Sequence, residues 1–301
     1  MTEHTDAATI QIIVNPTSGG GRARSTVPRF ITALTSLGVR PVLRTSTDAD
    51  DLRRLVREAV DAGSERVVVC GGDGTLHLAV QELAGTDVGL GILPVGTGDD
   101  NARGLGIPLK DPEGAARTVV HGQRRTVDLG RVAADDGTSR YFLGVLSSGF
   151  DSWVNERANR MTWPKGKARY TVAIVGELRT FAPVRYSVTV DGEELQDGAM
   201  LVAVGNGISY GGGMKICPAA VADDGLLDLT WLHAVKKSVF IRAFPSVFSG
   251  THVEQPYVTT ARGRDIRLEA PGQLAYADGE RVGPLPVQIS AVPAALQVLV
   301  P

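Results

Sequence analysis

Short apolar runs alternate with longer segments of helical periodicity over the first part of the chain. Runs rich in Val, Ile and Leu predict strands at 11–15, 39–44, 67–70 and 88–93. Strands that alternate with helices are typical of βαβ units and a parallel sheet. We expect helices at 22–37 and 75–84. Two further helices are expected to start at caps: one runs from an N-cap at Thr47 to residue 62, and the other from an Asp111-Pro112 cap to residue 120.

The pattern changes after about residue 123. Apolar and polar positions now alternate over short runs, which indicates antiparallel strands. Asp191-Gly192 follows the run at 185–190 and predicts a hairpin turn. Helix-like stretches interrupt this region at 151–161, 167–181 and 236–248. A second, β-rich domain is therefore expected from about residue 125.

Glycine-rich junctions follow three of the first four predicted strands. Small residues allow backbone amides to approach an anion, and a helix that starts at such a junction points its partial positive charge at the anion. Thr75 is expected to open such a helix. Asp73 is the exception, because a carboxylate among phosphate donors must hold a metal, orient a nucleophile or take a proton. The three junctions lie at 15–21, 71–75 and 94–101.

Charge and composition argue against several functions. The 31 basic and 33 acidic residues give a net charge of -2, so no global basic field favours nucleic acid as a partner. The glycine fingerprints of dinucleotide folds and P-loops do not occur. Cys70 and Cys217 lack disulfide or metal-ligand spacing, and we expect buried thiols. Because no apolar stretch approaches about 20 residues and no signal-peptide pattern is present, we expect a cytoplasmic protein, peripheral to the inner face of the membrane.

The motifs occur in an order that resembles the diacylglycerol kinase catalytic-domain superfamily, in its soluble bacterial lipid-kinase branch. This branch is related to sphingosine and ceramide kinases and, more distantly, to NAD kinases. The resemblance covers nearly the whole chain. The ordered set is Asn15-Pro16-x-Ser18-Gly19, Gly71-Gly72-Asp73-Gly74-Thr75, Gly96-Thr97-Gly98-x-Asp100-x-Ala102-Arg103, Gly149-Phe150-Asp151, Asn206-Gly207 with Gly211-Gly212-Gly213, Asp223-Asp224-Gly225-x-Leu227-Asp228 and Asp278-Gly279-Glu280.

The resemblance implies a fold and a reaction. The fold is an α/β nucleotide-binding domain with a parallel sheet at 1–124, a β-sandwich-like lipid-substrate domain at 125–289, and a last strand at 290–301 that returns to the first domain. The reaction is ATP-dependent transfer of the γ-phosphoryl group to a hydroxyl of diacylglycerol or a related lipid, giving phosphatidic acid or its analogue. The implied nucleotide contacts are Asn15, Pro16, Thr17, Ser18, Gly19, Thr45, Gly71, Gly72, Asp73, Gly74, Thr75, Leu76, His77 and Thr97.

The resemblance also implies catalytic and metal-binding roles. Glu280 would accept the proton of the lipid hydroxyl with Asp278 as support, and Asp73 would hold Mg²⁺ or its waters. A second, structural Mg²⁺ would bind the Asp224 carboxylate and the backbone carbonyls of Val221 and Leu226. The alternative explanation for these residues is an acidic turn without a bound ion.

Two positions depart from the family pattern. His77 stands where the family usually has Asn, and residues 99–101 read Asp-Asp-Asn where it has Asn-Asp-Phe. The added carboxylate of Asp99 would need Mg²⁺ or a basic partner near the phosphates.

Partners and alternative functions stay open at this point. Basic and aromatic residues mix at 155–170, as on a surface that contacts a membrane, although a solvated helix face with core aromatics has the same composition. The lipid substrate at the membrane surface is the expected partner, and a homodimer stays open. The alternatives are an NAD kinase and a catalytically silent lipid or nucleotide sensor. We expect His4, His121, His233 and His252 at the surface or in turns.

Overall fold

The computed structural model describes residues 9–163 and 167–301, and the chain divides into two compact units. Unit 1 comprises Met1–Val127 and Ala294–Pro301, and unit 2 comprises Asp128–Pro293. His4, and residues 164–166 of the basic and aromatic stretch at 155–170, lie outside the described residues.

The described chain contains strands and helices in the following order. The strands are β1 Thr9–Val14, β2 Arg40–Thr45, β3 Arg66–Gly71, β4 Gly89–Pro94, β5 Gln123–Ala134, β6 Ser139–Phe142, β7 Val145–Gly149, β8 Val184–Val190, β9 Glu193–Gly205, β10 Leu227–His233, β11 Val258–Gly263, β12 Asp265–Glu269, β13 Leu274–Ala277, β14 Glu280–Pro284 and β15 Val287–Val300. The helices are α1 Ala23–Ser36, α2 Ala49–Asp61, α3 Asp73–Leu83, α4 Asp100–Gly104, α5 Pro112–His121, α6 Phe150–Arg160, α7 Lys167–Thr180, α8 Lys237–Ala243 and α9 Ser246–Ser249.

Unit 1 contains the parallel sheet that the sequence predicts. Its strand order is β2-β1-β3-β4, with every neighbouring pair parallel. The last residues of β15 extend this sheet beside β4, where Gln297 lies opposite Gly89. Val67, Val68 and Val69 of β3 are fully buried, as expected for a central strand covered on both faces.

Two helix starts in unit 1 differ from the predictions. The N-cap of α2 is Asp48, whose side chain accepts a hydrogen bond from the Asp51 amide, and Thr47 instead donates its own amide to Asp51. Helix α3 begins at Asp73 rather than Thr75, because Gly72 takes the extended conformation of an N-cap. The glycine junction is therefore shorter than expected, and Asp73 lies in the first helical turn.

Unit 2 is built on antiparallel strands. Its main sheet has the order β14-β13-β7-β9-β8-β12-β15, and β10 pairs with both β9 and β11. The predicted turn at Asp191-Gly192 joins β8 to β9, with both residues at positive φ. Tyr186, Trp231 and aliphatic side chains from these strands form the main core.

Helices α6, α7 and α8 pack together on one apolar cluster of unit 2. Phe150 contacts Phe181 and Phe240 edge to face, with ring centroids 5.5 and 4.9 Å apart. The single helix predicted at 236–248 is wrong, because Pro245 lacks an amide hydrogen and separates α8 from α9. Among the described residues, no helix has both the length and the apolar character needed to cross a membrane.

Candidate functional site

The carboxyl ends of the parallel strands in unit 1 present most of the predicted nucleotide residues at one edge of the sheet. Asn15 follows β1, Gly71 ends β3, and Val95 follows β4. Thr45 ends β2 and lies opposite Val14 in the register of the sheet. The chain leaves β1 towards β2 and returns to β3 on the other side of β1, so this edge contains a topological switch point, where α/β sheets bind their ligands.

Side chains join the first and second glycine junctions. Asn15 Nδ2 donates to Thr75 Oγ1 at 3.2 Å, and the Ser18 and Thr75 hydroxyl oxygens are 3.1 Å apart. The backbone amide of Asn15 also donates to the backbone carbonyl of Cys70 at 3.1 Å. The Thr75 side chain is buried in these contacts, so it connects two loops and is not an exposed ligand.

The third glycine junction lies against the first two through close contacts between backbone atoms. A Cβ on Gly72 would lie 2.8 Å from the Gly96 Cα, nearer than real side chains allow. Gly19 has φ 61°, and a Cβ there would collide with the Val95 carbonyl oxygen. The three junctions therefore meet through backbone atoms, which leaves amide groups available to an anion.

The N-terminus of α3 points at the same edge. The first amides of a helix lack intrahelical partners and carry partial positive charge, which favours phosphate. The Asp73 carboxylate accepts from the Asn101 amide at 3.0 Å and from the Asp100 amide at 3.2 Å, and so connects α3 to the start of α4. A carboxylate is also the kind of oxygen ligand that Mg²⁺ prefers.

Asp99 has the basic partners that its charge requires. Its carboxylate accepts from the Gly96 amide at 2.8 Å. Burial raises the pKa of Asp99, while the Gly96 hydrogen bond and the charges of Arg22 and Arg103 lower it. Arg22 also donates to the carbonyls of Gly19 and Gly96. The sequence analysis missed Arg22; its signal is that it is the first charged residue after the glycine run at 19–21.

The remaining residues that are predicted to contact the nucleotide differ in how exposed they are to solvent. Thr17, Thr45 and Thr97 are exposed, and Pro16 is partly so. Leu76 and His77 are buried in α3, so their side chains are not part of the accessible surface of the loops. The structure therefore gives no support to direct nucleotide contacts by these two side chains.

In unit 2, the hairpin between β13 and β14 carries the predicted catalytic pair. Asp278 and Gly279 have φ of 52° and 84°, as in a type I′ turn. The Asp278 carboxylate accepts from the Leu143 amide at 3.0 Å and the Gly144 amide at 2.9 Å. Glu280 starts β14 and is exposed. Asp278 therefore positions the hairpin, and the Glu280 carboxylate is accessible to a substrate proton.

The acidic turn that is predicted to bind a structural ion also contacts a cationic side chain of the protein. The Arg262 guanidinium donates to Asp224 Oδ2, and Asp224 Oδ1 accepts from the Leu226 amide at 3.0 Å. Val221 is 44% exposed. Among the described residues, no group of three or more His, Cys, Asp and Glu could hold a metal ion. The contact with Arg262 competes with an ion for the Asp224 carboxylate, and the ion at Asp224, Val221 and Leu226 stays a prediction.

The basic and aromatic segment at 155–170 is only partly described. Arg157 pairs with Glu177 at 2.5 Å, and Arg160 pairs with Glu156 at 2.8 Å. Trp163 is 81% exposed. The Lys167 and Tyr170 side chains lie outside the described part. The paired arginines agree with a solvated helix face, and Trp163 is the exposed aromatic that a membrane contact would use.

Two family models together match most of the chain. Residues 9–132 match the diacylglycerol kinase catalytic domain, and residues 144–300 match the YegS C-terminal NAD kinase beta sandwich-like domain. The second match confirms the sandwich-like character expected of the C-terminal region.

Similar proteins have the same family names. A diacylglycerol kinase from Mycobacterium tuberculosis is 46% identical over 97% of this chain and 95% of its own length. A protein from Pseudomonas savastanoi named "Probable lipid kinase YegS-like" is 32% identical over 86% of this chain and 83% of its own. A crystal structure of a diacylglycerol kinase from Bacillus anthracis has the same fold, with a TM-score of 0.74 and 21% identity over 99% of this chain and 98% of that one.

Proposed function

Because this chain belongs to the diacylglycerol kinase family, whose members transfer a phosphoryl group to a lipid hydroxyl, we propose that it phosphorylates diacylglycerol with ATP. The products are phosphatidic acid and ADP. The meeting of three glycine junctions at the start of α3 carries this proposal, because it supplies a backbone-lined phosphate site in unit 1. The name of the 46% identical relative supports diacylglycerol as the acceptor.

The ATP phosphates would bind where the junctions meet. Amides near Gly72 and Gly96 and the N-terminal turn of α3 offer donors to phosphate oxygens. Asp73 holds the start of α4 against this region, and Arg22 fixes Gly19 and Gly96. Such pre-organised donors stabilise the charge that develops on the transferred group.

Glu280 would remove the proton from the attacking hydroxyl. The lipid oxygen bonds to the γ-phosphorus, the bond between that phosphorus and the β–γ bridging oxygen breaks, and ADP leaves. The hydroxyl proton passes to the Glu280 carboxylate and then to solvent. Asp278 acts through position alone, because both of its oxygens hold the amides of Leu143 and Gly144.

Mg²⁺ would neutralise charge on the triphosphate. Asp73 is the residue we propose to hold the ion or its waters, since carboxylate oxygens are ligands that Mg²⁺ prefers and this carboxylate lies in the first turn of α3.

The lipid would be taken from a membrane surface. Exposed large apolar side chains occur on three helices of unit 2 and on the segment after α6, namely Trp163, Val172, Val175, Ile241 and Phe248. Lys236, Lys237 and Arg242 accompany them near α8. Exposed apolar residues with neighbouring cations suit the interface of an anionic membrane.

Substitution of Glu280 tests the proposed step. Glu280→Gln keeps the size and shape of the side chain but cannot take a proton, so kcat for dioleoylglycerol should fall by about 100-fold or more. The measurement is transfer of labelled phosphate from ATP in mixed micelles, with ATP affinity measured separately. ATP affinity should stay unchanged. Full turnover by the Gln variant would remove Glu280 from the role of base.

A further inference from the structure

Strand β14, which begins with Glu280, is an edge strand of the main sheet of unit 2. Among the described strands it pairs with β13 alone, and the register of this pair shifts between Ala275 and Tyr276. An edge strand has no ladder hydrogen bonds on its outer side. No other described residue forms a hydrogen bond or ion pair with the Glu280 carboxylate. The position of Glu280 therefore depends on the contacts that hold β13 and β14.

The Glu156 carboxylate of α6 contacts both strands of this hairpin. The Tyr276 hydroxyl of β13 donates to Glu156 Oε2 at 2.6 Å, and Arg281 Nε of β14 lies 3.6 Å from the same oxygen. Tyr276 lies opposite Arg281 in the register, and the next pair towards the turn is Ala277 with Glu280. One oxygen of α6 therefore reaches both strands at the pair of residues beside the proposed base.

Other contacts fix the place of this carboxylate. Trp153 Nε1 donates to Gln273 Oε1 at 3.0 Å, one residue before β13 begins. Trp153, Glu156 and Arg160 lie along one face of α6, since residues three and four apart are neighbours on a helix. Arg160 donates to Glu156 Oε1 at 2.8 Å. Each oxygen of Glu156 thus has a donor, and α6 is joined to the hairpin at two places.

The contact between Glu156 and Tyr276 joins an ionised group to a neutral one. Tyr276 is 1% exposed, and the Glu156 side chain is 16% exposed. The hydrogen bond from Tyr276 holds the pKa of Glu156 below its ordinary value, and Arg160 and Arg281 act in the same direction against partial burial. Burial, together with Glu156, raises the pKa of Tyr276 to about 12. Hydrogen bonds with one ionised partner are shorter and stronger than neutral ones.

We propose that Glu156 is a positioning residue for phosphoryl transfer: it fixes β13 and β14 against α6 and so sets where the Glu280 carboxylate meets the lipid hydroxyl. The inference rests on the proposed function for the role of Glu280 as the base. Proton transfer requires the base within hydrogen-bond reach of the hydroxyl, so a hairpin displaced by about 1 Å slows the reaction. Glu156 also keeps the Arg281 guanidinium on the α6 side of β14, because successive side chains of a strand point to opposite faces.

Two variants of nearly unchanged shape test this role. Glu156→Gln removes the charge that holds Arg281, and Tyr276→Phe removes the hydroxyl that holds Glu156. In each variant, kcat for dioleoylglycerol should fall by about tenfold while KM for ATP stays unchanged. The measurement is the initial rate of transfer of labelled phosphate in mixed micelles. Wild-type kcat in Glu156→Gln would overturn the proposal.

Glu177→Gln is the matched control. It removes an ion pair of similar length between α7 and α6, with Arg157 at 2.5 Å, and leaves the hairpin contacts intact. Its kcat should stay within about twofold of the wild-type value. A fall in kcat as large as that of Glu156→Gln would show that any lost contact of α6 is enough, and would overturn a specific role for Glu156.

A double-mutant cycle tests whether Glu156 acts through Glu280. Glu156→Gln should lower kcat about tenfold in the wild-type background and leave the residual rate unchanged in the Glu280→Gln background, where no base remains to be displaced. A tenfold loss in both backgrounds would indicate a general structural effect and would overturn the proposal.

Hydrogen exchange, followed by mass spectrometry, separates this inference from the proposed function because it requires no turnover. Amides at 274–284 should exchange about tenfold faster in Glu156→Gln than in wild type, whereas those of β1, β3 and β4 should not change. Unchanged exchange of the hairpin would overturn the link between α6 and Glu280. Faster exchange of the hairpin, together with full turnover by Glu280→Gln, would count against the proposed base alone.

Discussion

Three aspartates at motif positions differ in what their carboxylate oxygens contact. Asp73 and Asp278 each accept two backbone amides and so fix the loop that those amides belong to. Asp151 Oδ2 has no hydrogen-bond partner among the described residues, and burial raises the pKa of Asp151. At the residue scale, the first two carboxylates stabilise the fold by accepting backbone amides, whereas ionisation of Asp151 lowers the stability of the fold.

The free energy of unfolding should show the protonation of Asp151. Burial raises the pKa of Asp151 in the folded state from an ordinary value near 4 to about 7. Between these two pH values the folded protein keeps a proton on Asp151 that the unfolded protein has lost, so the folded protein loses stability as the pH rises from about 4 to about 7. Asp151→Asn is always neutral. The free energy of unfolding of the variant minus that of wild type should therefore increase by about 3 kcal/mol as the pH rises from 5 to 8.

Urea denaturation of both proteins at several pH values measures this gain. Other groups, including His252, titrate in both proteins and cancel in the difference. A stability difference that does not change with pH would contradict a buried neutral Asp151.

At the element scale, the turn before β10 is held by charge pairs within the chain. Arg262 of β11 lies opposite Asp228 of β10 in the sheet register, and it donates to both Asp228, at 3.3 Å, and Asp224. The Gly225 amide donates to Asp128 at 2.7 Å, which connects the same turn to β5. The guanidinium thus supplies the positive charge that a structural ion would supply.

Removal of Arg262 should make this turn sensitive to Mg²⁺. Wild type should have the same thermal unfolding midpoint in EDTA and in millimolar Mg²⁺. Arg262→Ala leaves Asp224 and Asp228 without a cation and should lose roughly 1–3 kcal/mol, part of which Mg²⁺ restores. The control is Arg267→Ala, which removes a pair with Glu269 at the surface and should cost less than about 1 kcal/mol. A fall in the wild-type midpoint on addition of EDTA would favour the bound ion.

For the whole molecule, local patterns predicted the elements, and the motif order predicted the family. The run of valines before Gly71 and the cap at Asp111-Pro112 depend on neighbours in sequence, so both were predicted correctly. The pairing of Arg22 with Gly96, of Arg262 with Asp224 and of Asp73 with α4 depends on contacts between residues far apart in the chain. Spacing alone contains no signal for these contacts, nor for the burial of His252, which is 4% exposed. The expectation that His252 lies at the surface is therefore wrong.

Phosphoryl transfer from ATP to diacylglycerol can be measured in one assay. Wild-type protein is incubated with labelled ATP and Mg²⁺ in separate reactions with dioleoylglycerol, ceramide, sphingosine, phosphatidylglycerol and NAD, with Glu280→Gln in parallel. We predict labelled phosphatidic acid from dioleoylglycerol and at least about 100-fold less from the variant. Labelled NADP without any labelled lipid would contradict the account.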